Sequence, residues 1–249
     1  KSVNPKKKNR LNIVSPEQNK EYSIDADKCY GIGILKAKIN FNYLEFEDFF
    51  SNNECIETTL PEFTAHLVGG RIVKYKDNTL LFSTGDYRSR KFSQDDNSIF
   101  GKILKISTLD KTYNIFSKGH RNPQGLHYDN VNDLIISTEH GPWGGDEINI
   151  ISQYNNFGWP ISSYGKHYCE KKVPLSDDCK TKYKNYPLHK NHIKYGFIEP
   201  LKFYNPSIGI SEIVKLPKNH SSNKLKYLVS SLGGTQGYGR SYYIIELSN

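Results

Sequence analysis

Two stretches of this chain say the same thing twice. Gly70 to Asp86 reads GRIVKYKDNTLLFSTGD, and Gly125 to His140 reads GLHYDNVNDLIISTEH. Each holds a glycine, an apolar run, a polar turn, a second apolar run and a Ser-Thr pair with an acidic residue close behind. The pairs are Ser83-Thr84 and Ser137-Thr138. YLVSSLGG, Tyr227 to Gly234, is a third and looser copy, delayed by a polar segment at 162–199. Strand-turn-strand units repeating at about 50 residues are the signature of β-propeller blades. RIVKY, TLLFSTGD, GKILKIS, YNIFS, DLIISTEHG, INIIS, KYLVSSL and SYYIIEL have strand length and are rich in Ile, Val, Leu, Tyr and Phe. No long segment carries helical periodicity, and LEFEDFF (Leu44 to Phe50) fits a helical turn or an outer strand. The predicted fold is all-β, a propeller. In such a fold the same strand ends on the same face in every blade. TGD, EHG and SLGG are therefore predicted to meet at one mouth of a central channel, where ligands bind. Three clear blades and one partial blade, containing YGIGILKAKIN, are legible, so parts of the first and last blades are predicted to be missing.

The chain has 249 residues, 36% hydrophobic and 24% charged, enough for a sizeable core. No apolar run is long enough to span a membrane as a helix, and no leader pattern is visible. The chain begins at Lys1 and contains no methionine, which points to a processed or partial chain. Part of the +8 charge sits in KSVNPKKKNR. Residues 1–20 are read as a basic segment, frayed or part of a truncated first blade, and 21–249 as one propeller domain with 162–199 as an insertion. The other lysines are scattered singly with no nucleic-acid motif, so no nucleic-acid partner is predicted. The four cysteines form no CxxC. Cys169 and Cys179 bracket a polar loop that a disulfide would staple; four independent thiols are the other reading.

Chemistry concentrates in GHRNPQGL (Gly119 to Leu126), EHGPWGGDEIN (Glu139 to Asn149) and NNFGWP (Asn155 to Pro160). Pro123 holds Asn122 extended and constrains Arg121, whose fork suits a carboxylate or quinone oxygen. Gly141-Pro142 and Gly144-Gly145 force an irregular backbone with carbonyls free to face a hard cation, and Asp146 and Glu147 add carboxylates. Trp143 falls within this loop and suits stacking on a flat ligand, whereas Trp159 reads as core. Asp86 and Asp95 read as turn residues, and His189 with His192 as a surface pair. Gly31-Ile32-Gly33 lacks the third glycine of a dinucleotide site, and GGTQGYG lacks the Lys-Ser/Thr of a P-loop.

Those three motifs, with GGRI before LLFSTGD, FGKILKI and PSIGISEI, resemble the soluble glucose/sorbosone dehydrogenase family from about Tyr30 onward. The resemblance implies a six-bladed propeller that uses pyrroloquinoline quinone (PQQ) and Ca²⁺ to oxidise an aldose sugar at C1 to the lactone, passing electrons to an acceptor. It implies that Arg121 and Asn122 contact PQQ, that Gln124 supports their turn, and that His140 and Trp143 line the cofactor pocket. Gly141 and Pro142 would offer backbone oxygens to the calcium that polarises PQQ. Glu147, with the backbone near Phe157, would form a structural calcium site. A periplasmic or secreted location and a soluble sugar substrate follow from the same resemblance. The sequence departs from the family pattern at HLVGGR, where the catalytic histidine would fall on Leu67 and His66 stands one residue early. In a strand that slip turns the side chain to the other face unless a bulge restores it. It departs again at Gly233-Gly234, where the family has a PQQ-binding lysine. A binding module that kept scaffold and calcium site is therefore the alternative function, and a calcium-stabilised interaction domain a third.

Overall fold

The computed structural model describes residues 13–18, 29–39, 43–171, 174–217, 224–234 and 239–247. Most of the basic segment 1–20 lies outside them. Four antiparallel sheets follow one another along the chain. The first holds β1 (Ile13–Gln18), β2 (Cys29–Ala37) and β3 (Phe46–Phe50), with β4 (Ile56–Glu57) paired to the start of β2. The second holds β5 (Gly69–Lys74), β6 (Thr79–Thr84), β7 (Lys102–Ser107) and β8 (Tyr113–Lys118). The third holds β9 (Pro123–Asp129), β10 (Leu134–Glu139), β11 (Asp146–Ile151) and β12 (Lys202–Tyr204), and the fourth β13 (Ile210–Lys215), β14 (Leu225–Ser231) and β15 (Ser241–Leu247). Each of the last three sheets pairs its strands in chain order, and β5, β9 and β13 are inner strands lying side by side. These are propeller blades, and LEFEDFF is the outer strand β3.

Period-two alternation explains the packing. Leu81, Ile103 and Ile135 enter the core between the second and third blades. Their neighbours Phe82 and Leu104 enter the core between the first and second, and Ile136 that between the third and fourth. β6, β7 and β10 thus bury both faces, each large side chain contributing about 1.5–3 kcal/mol.

The recurring Ser-Thr pairs have a structural task. Every inner strand bulges at the end where the second strand stops: the register slips between Gly69 and Ile72, opposite Thr138/Glu139 in β9, and between Ile210 and Ile213. A bulge takes main-chain groups out of the ladder. Ser83 Oγ accepts the Arg71 N–H at 3.0 Å and donates to Pro123 O of the next blade, also at 3.0 Å. Ser230 Oγ accepts the Glu212 N–H at 3.0 Å, and Thr138 donates to Ser211 O across the third and fourth blades. Gly125 leaves room for this contact, since a Cβ there would lie 2.3 Å from Thr138 Oγ1.

The insertion between β11 and β12 contains α1 (Asp177–Asn185), a helix the sequence reading did not predict. Ser176 caps it by accepting the Cys179 N–H at 3.2 Å, Asp177 and Asp178 stand in its first turn and Lys182 and Lys184 in its last. It escaped periodicity because Cys179 is its one buried residue. All four cysteines pair, as Cys169–Cys179 and Cys29–Cys55, so the independent-thiol reading is set aside.

Lys102 is fully buried, and its ammonium donates to the carbonyls of Phe92 (2.6 Å), Phe100 (2.8 Å) and Ser93 (3.2 Å). Burial pulls its pKa down to about 8 from 10.5, with Glu54 and Asp95 opposing. The folded chain therefore sheds this proton near pH 8 while the unfolded chain keeps it to about pH 10.4. Between those values the unfolded state binds more protons, so this group makes stability rise with pH. Urea unfolding at pH 7.5 and 9.5 is expected to show that rise in the native chain and its absence in Lys102→Met. Ser83→Ala, which strands the Arg71 N–H and the Pro123 carbonyl, is expected to cost about 1–3 kcal/mol in the same assay.

Candidate functional site

Thr84-Gly85-Asp86, Glu139-His140-Gly141 and Ser231-Leu232-Gly233 follow the second strands of their blades and lie at one end of the sheets. Loops leading into the inner strands meet them there. Asp86 N–H donates to Arg121 O at 2.9 Å, His140 N–H to Asn122 O at 3.2 Å, and Leu232 N–H to Gly209 O at 2.8 Å. The three turns thus share one end of the sheets, as the repeat predicted.

Arg121, 5% exposed, is the central side chain at that end. One guanidinium N–H donates to His140 O at 2.9 Å, and the guanidinium carbon lies 5.4 Å from the Trp159 ring centre. Trp159 is buried, as predicted for core, and it also touches the polar groups of the mouth. Its indole N–H donates to Asp86 Oδ2 at 2.8 Å, and Arg90 lies 5.6 Å from its ring. Asp86 does make a turn, accepting the Arg88 N–H at 2.8 Å, but it is fully buried, and the turn reading alone understated it. Burial raises its pKa, with Arg121 the largest opposing influence. Asp95 is a turn residue that accepts the Asn97 N–H at 2.9 Å. Asn122, also buried, accepts the Gly69 N–H at 3.1 Å and the Gln124 side-chain N–H at 3.3 Å, so it clips two loops together and Gln124 braces it. Burial lowers the pKa of His140, with Asp146 opposing.

The GPWGGDE loop is held from below by Asp146. That buried carboxylate accepts the Gly141 N–H (3.0 Å), the Ser207 hydroxyl (2.9 Å) and the N–H groups of Ile208 (3.0 Å), Gly209 (2.8 Å) and Ile210 (3.1 Å). It is committed to the join between the third and fourth blades, so the sequence reading that offered it to a cation is corrected. Gly141 has no room for a side chain, because a Cβ would lie 2.2 Å from Gly144 O. Pro142 O accepts the Tyr168 hydroxyl at 3.1 Å. Trp143, half-buried, exchanges main-chain hydrogen bonds with Lys166 of the insertion and lies 5.5 Å from the Lys171 ammonium.

Behind the loop is a void of about 10 Å³ lined by Glu139, Glu147, Phe157, Trp159, Ser162 and Ser163, among others. Burial raises the Glu147 pKa well above 4.5, and Glu139 adds to the effect. Asn149 Nδ2 donates to Glu147 at 3.3 Å, and His192 Nε2 lies 3.8 Å away. His192 is buried, which corrects its reading as half of a surface pair, and burial lowers its pKa. Both His192 ring nitrogens, Ser162 Oγ and Asn149 Oδ1 lack hydrogen-bond partners. No group of three His, Cys, Asp or Glu side chains suited to a metal occurs among the described residues, so a cation here would also draw on hydroxyl and main-chain oxygens.

His66 is exposed, in the loop before β5. Leu67 beside it has φ 63°, and its carbonyl accepts the Tyr87 N–H at 3.3 Å. The segment is not a strand at this point, so the two-residue parity expected of His66 does not govern it; the bulge lies further on, between Gly69 and Ile72. At Gly234 a Cβ would fall 1.9 Å from Ser207 O, so the backbone itself excludes a side chain from the second of the two positions where the sequence lacks the family's lysine.

The fold defines a propeller protein whose blade ends form a polar mouth with Arg121 buried in it. The Glucose / Sorbosone dehydrogenase family model matches residues 34–237, and the chain belongs to that family. Aldose sugar dehydrogenase YliI of Escherichia coli is 32% identical over 161 residues, which cover 59% of this chain and 40% of that protein. The chain thus spans well under half of that relative's length. Among solved structures, the apo form of the soluble aldose sugar dehydrogenase of E. coli superposes with a TM-score of 0.63 at 21% identity, covering 93% of this chain and 66% of that one. The PQQ-bound aldose sugar dehydrogenase of Streptomyces coelicolor gives 0.50 at 19% identity, covering 94% and 69%.

Asp146→Asn, which replaces an oxygen that accepts main-chain N–H groups with a donor, is expected to lower unfolding stability by at least about 2–3 kcal/mol. Thermal and urea unfolding check this, and a loss under about 0.5 kcal/mol, the size of an ordinary surface change, would refute the role given to it.

Proposed function

We propose that this chain carries the cofactor half of a PQQ- and calcium-dependent dehydrogenase that oxidises an aldose sugar at C1 to the lactone. The observation that carries the reading is the buried Arg121, set beside Trp159 and His140 at the mouth, with one guanidinium N–H engaged by His140 O. The names of the E. coli and Streptomyces relatives support it. A planar, acidic quinone matches this donor set: a guanidinium for its acid groups, an aromatic ring alongside and an imidazole beside them. The orphaned Ser162 and Asn149 oxygens around the buried Glu147 likewise fit a small hard cation.

In this reading PQQ, when bound, supplies a two-electron acceptor for the hydride leaving sugar C1. Arg121 and Asn122 hold the cofactor's acid groups, Gln124 fixes their turn, and His140 and Trp143 line the pocket. Gly141 and Pro142 would offer carbonyl oxygens to a calcium ion, which would supply Lewis-acid polarisation there. Glu147 and the Phe157 backbone would hold a second, structural calcium. His66, exposed at the rim, takes the proton of the C1 hydroxyl as general base. Electrons pass on to a separate acceptor, and the two disulfides suit a periplasmic or secreted setting.

The test is reconstitution with PQQ and Ca²⁺ and dye reduction with a panel of aldoses. Activity is expected to need both additions. His66→Gln is expected to lower kcat by about 10²–10⁴ with PQQ affinity intact. Ca²⁺ is expected to raise Tm, and Glu147→Gln to reduce that rise. PQQ binding without dye reduction for any aldose would leave the binding module; no PQQ binding would sink the proposal.

A further inference from the structure

Behind Arg121 stands a set of buried polar groups that the reading above leaves without a task. His120 is fully buried, its ring stacked on Phe157 with centroids 4.9 Å apart. Its Nε2 lies 2.8 Å from Ser117 Oγ and its Nδ1 3.0 Å from Glu139 Oε2. The other oxygen of Glu139 accepts the backbone N–H of Arg121. One carboxylate is thus gripped from two sides, by the side chain of residue 120 and the main chain of residue 121. The next residue after Glu139 closes the circuit: His140 O accepts the Arg121 guanidinium at 2.9 Å, and His140 N–H donates to Asn122 O at 3.2 Å.

This circuit fixes both ends of the arginine. Glu139 sets the peptide plane from which the Arg121 side chain departs, and His140 O sets where the guanidinium arrives. An arginine has four side-chain torsions to lose, and its ligand affinity depends on their being settled beforehand. We propose that Ser117, His120 and Glu139 are positioning residues for Arg121: Ser117 orients the imidazole, the imidazole orients the carboxylate, and the carboxylate holds the arginine backbone. A histidine that merely filled space there would be indifferent to which of its nitrogens a replacement reproduces. The relay is not, because only the Nδ1 side reaches Glu139. The effect on ligand binding rests on the cofactor reading above; the effect on Arg121 itself does not.

The experiment uses the full chain with two replacements at one position. The amide of Asn stands near where Nδ1 stood, and that of Gln near where Nε2 stood. His120→Gln is expected to speed amide hydrogen exchange at Arg121 by about tenfold or more, since its N–H loses a held acceptor. The same change is expected to weaken PQQ binding, read by Trp fluorescence, by about tenfold or more. His120→Asn is expected to keep both within about threefold of the native chain while lowering Tm as much as His120→Gln does. Equal exchange at Arg121 in the two variants, or no change in His120→Gln, overturns the relay. If neither folds, Ser117→Ala decides: faster exchange at Arg121 with β10 unchanged supports the relay, and unchanged exchange at Arg121 overturns it. If the exchange split appears but the native chain binds no PQQ, the relay stands and the cofactor reading falls.

Discussion

A strand between two blades has two faces to fill and no solvent side. The whole molecule depends on this constraint. Leu81 and Phe82 are neighbours in β6, yet they belong to different cores, and Ile103 with Leu104 and Ile135 with Ile136 repeat the division. A one-residue slip in any of these strands would exchange the two cores, and side chains of different size would meet the wrong partners. Register is therefore specified on both faces at once. That rigidity lets the loops at the mouth be irregular without losing their positions.

Irregularity at the mouth has its own support. Each inner strand swells by a residue there, and hydroxyls take up the main-chain groups the ladder gives away. Ser83 serves the bulge of its own blade and the inner strand of the next. Asp146 does similar work on a larger scale, gathering the main chain on either side of the third and fourth blades. Site and blade junction are built from the same residues, so the geometry of the mouth and the closure of the blades are set together.

The strands were legible because apolar alternation at strand length is a direct imprint of two-sided burial. The Ser-Thr repeat was visible as a marker, but its bridging role was not, since Pro123 and Ser211 are near those hydroxyls only after the blades stack. Helix α1 was hidden because its capping and charge pattern came without an apolar stripe. At the site, Arg121 and Asn122 stood out through the proline that follows them. His120, Ser117 and Glu139 did not, because a serine, a histidine and a glutamate on separate strands and loops share no spacing. Strand parity does not govern His66, because Leu67 beside it lies in the left-handed region.

One buried lysine changes how the molecule should respond to its ionic surroundings. The loop that packs beside the mouth is gathered around the Lys102 ammonium, three carbonyls to one cation, which is the arrangement hard metal ions impose elsewhere. This cation is covalently part of the chain. Dialysis cannot remove it, and no chelator competes for it. The strand-to-loop framework on that side is thus independent of the mineral content of the medium.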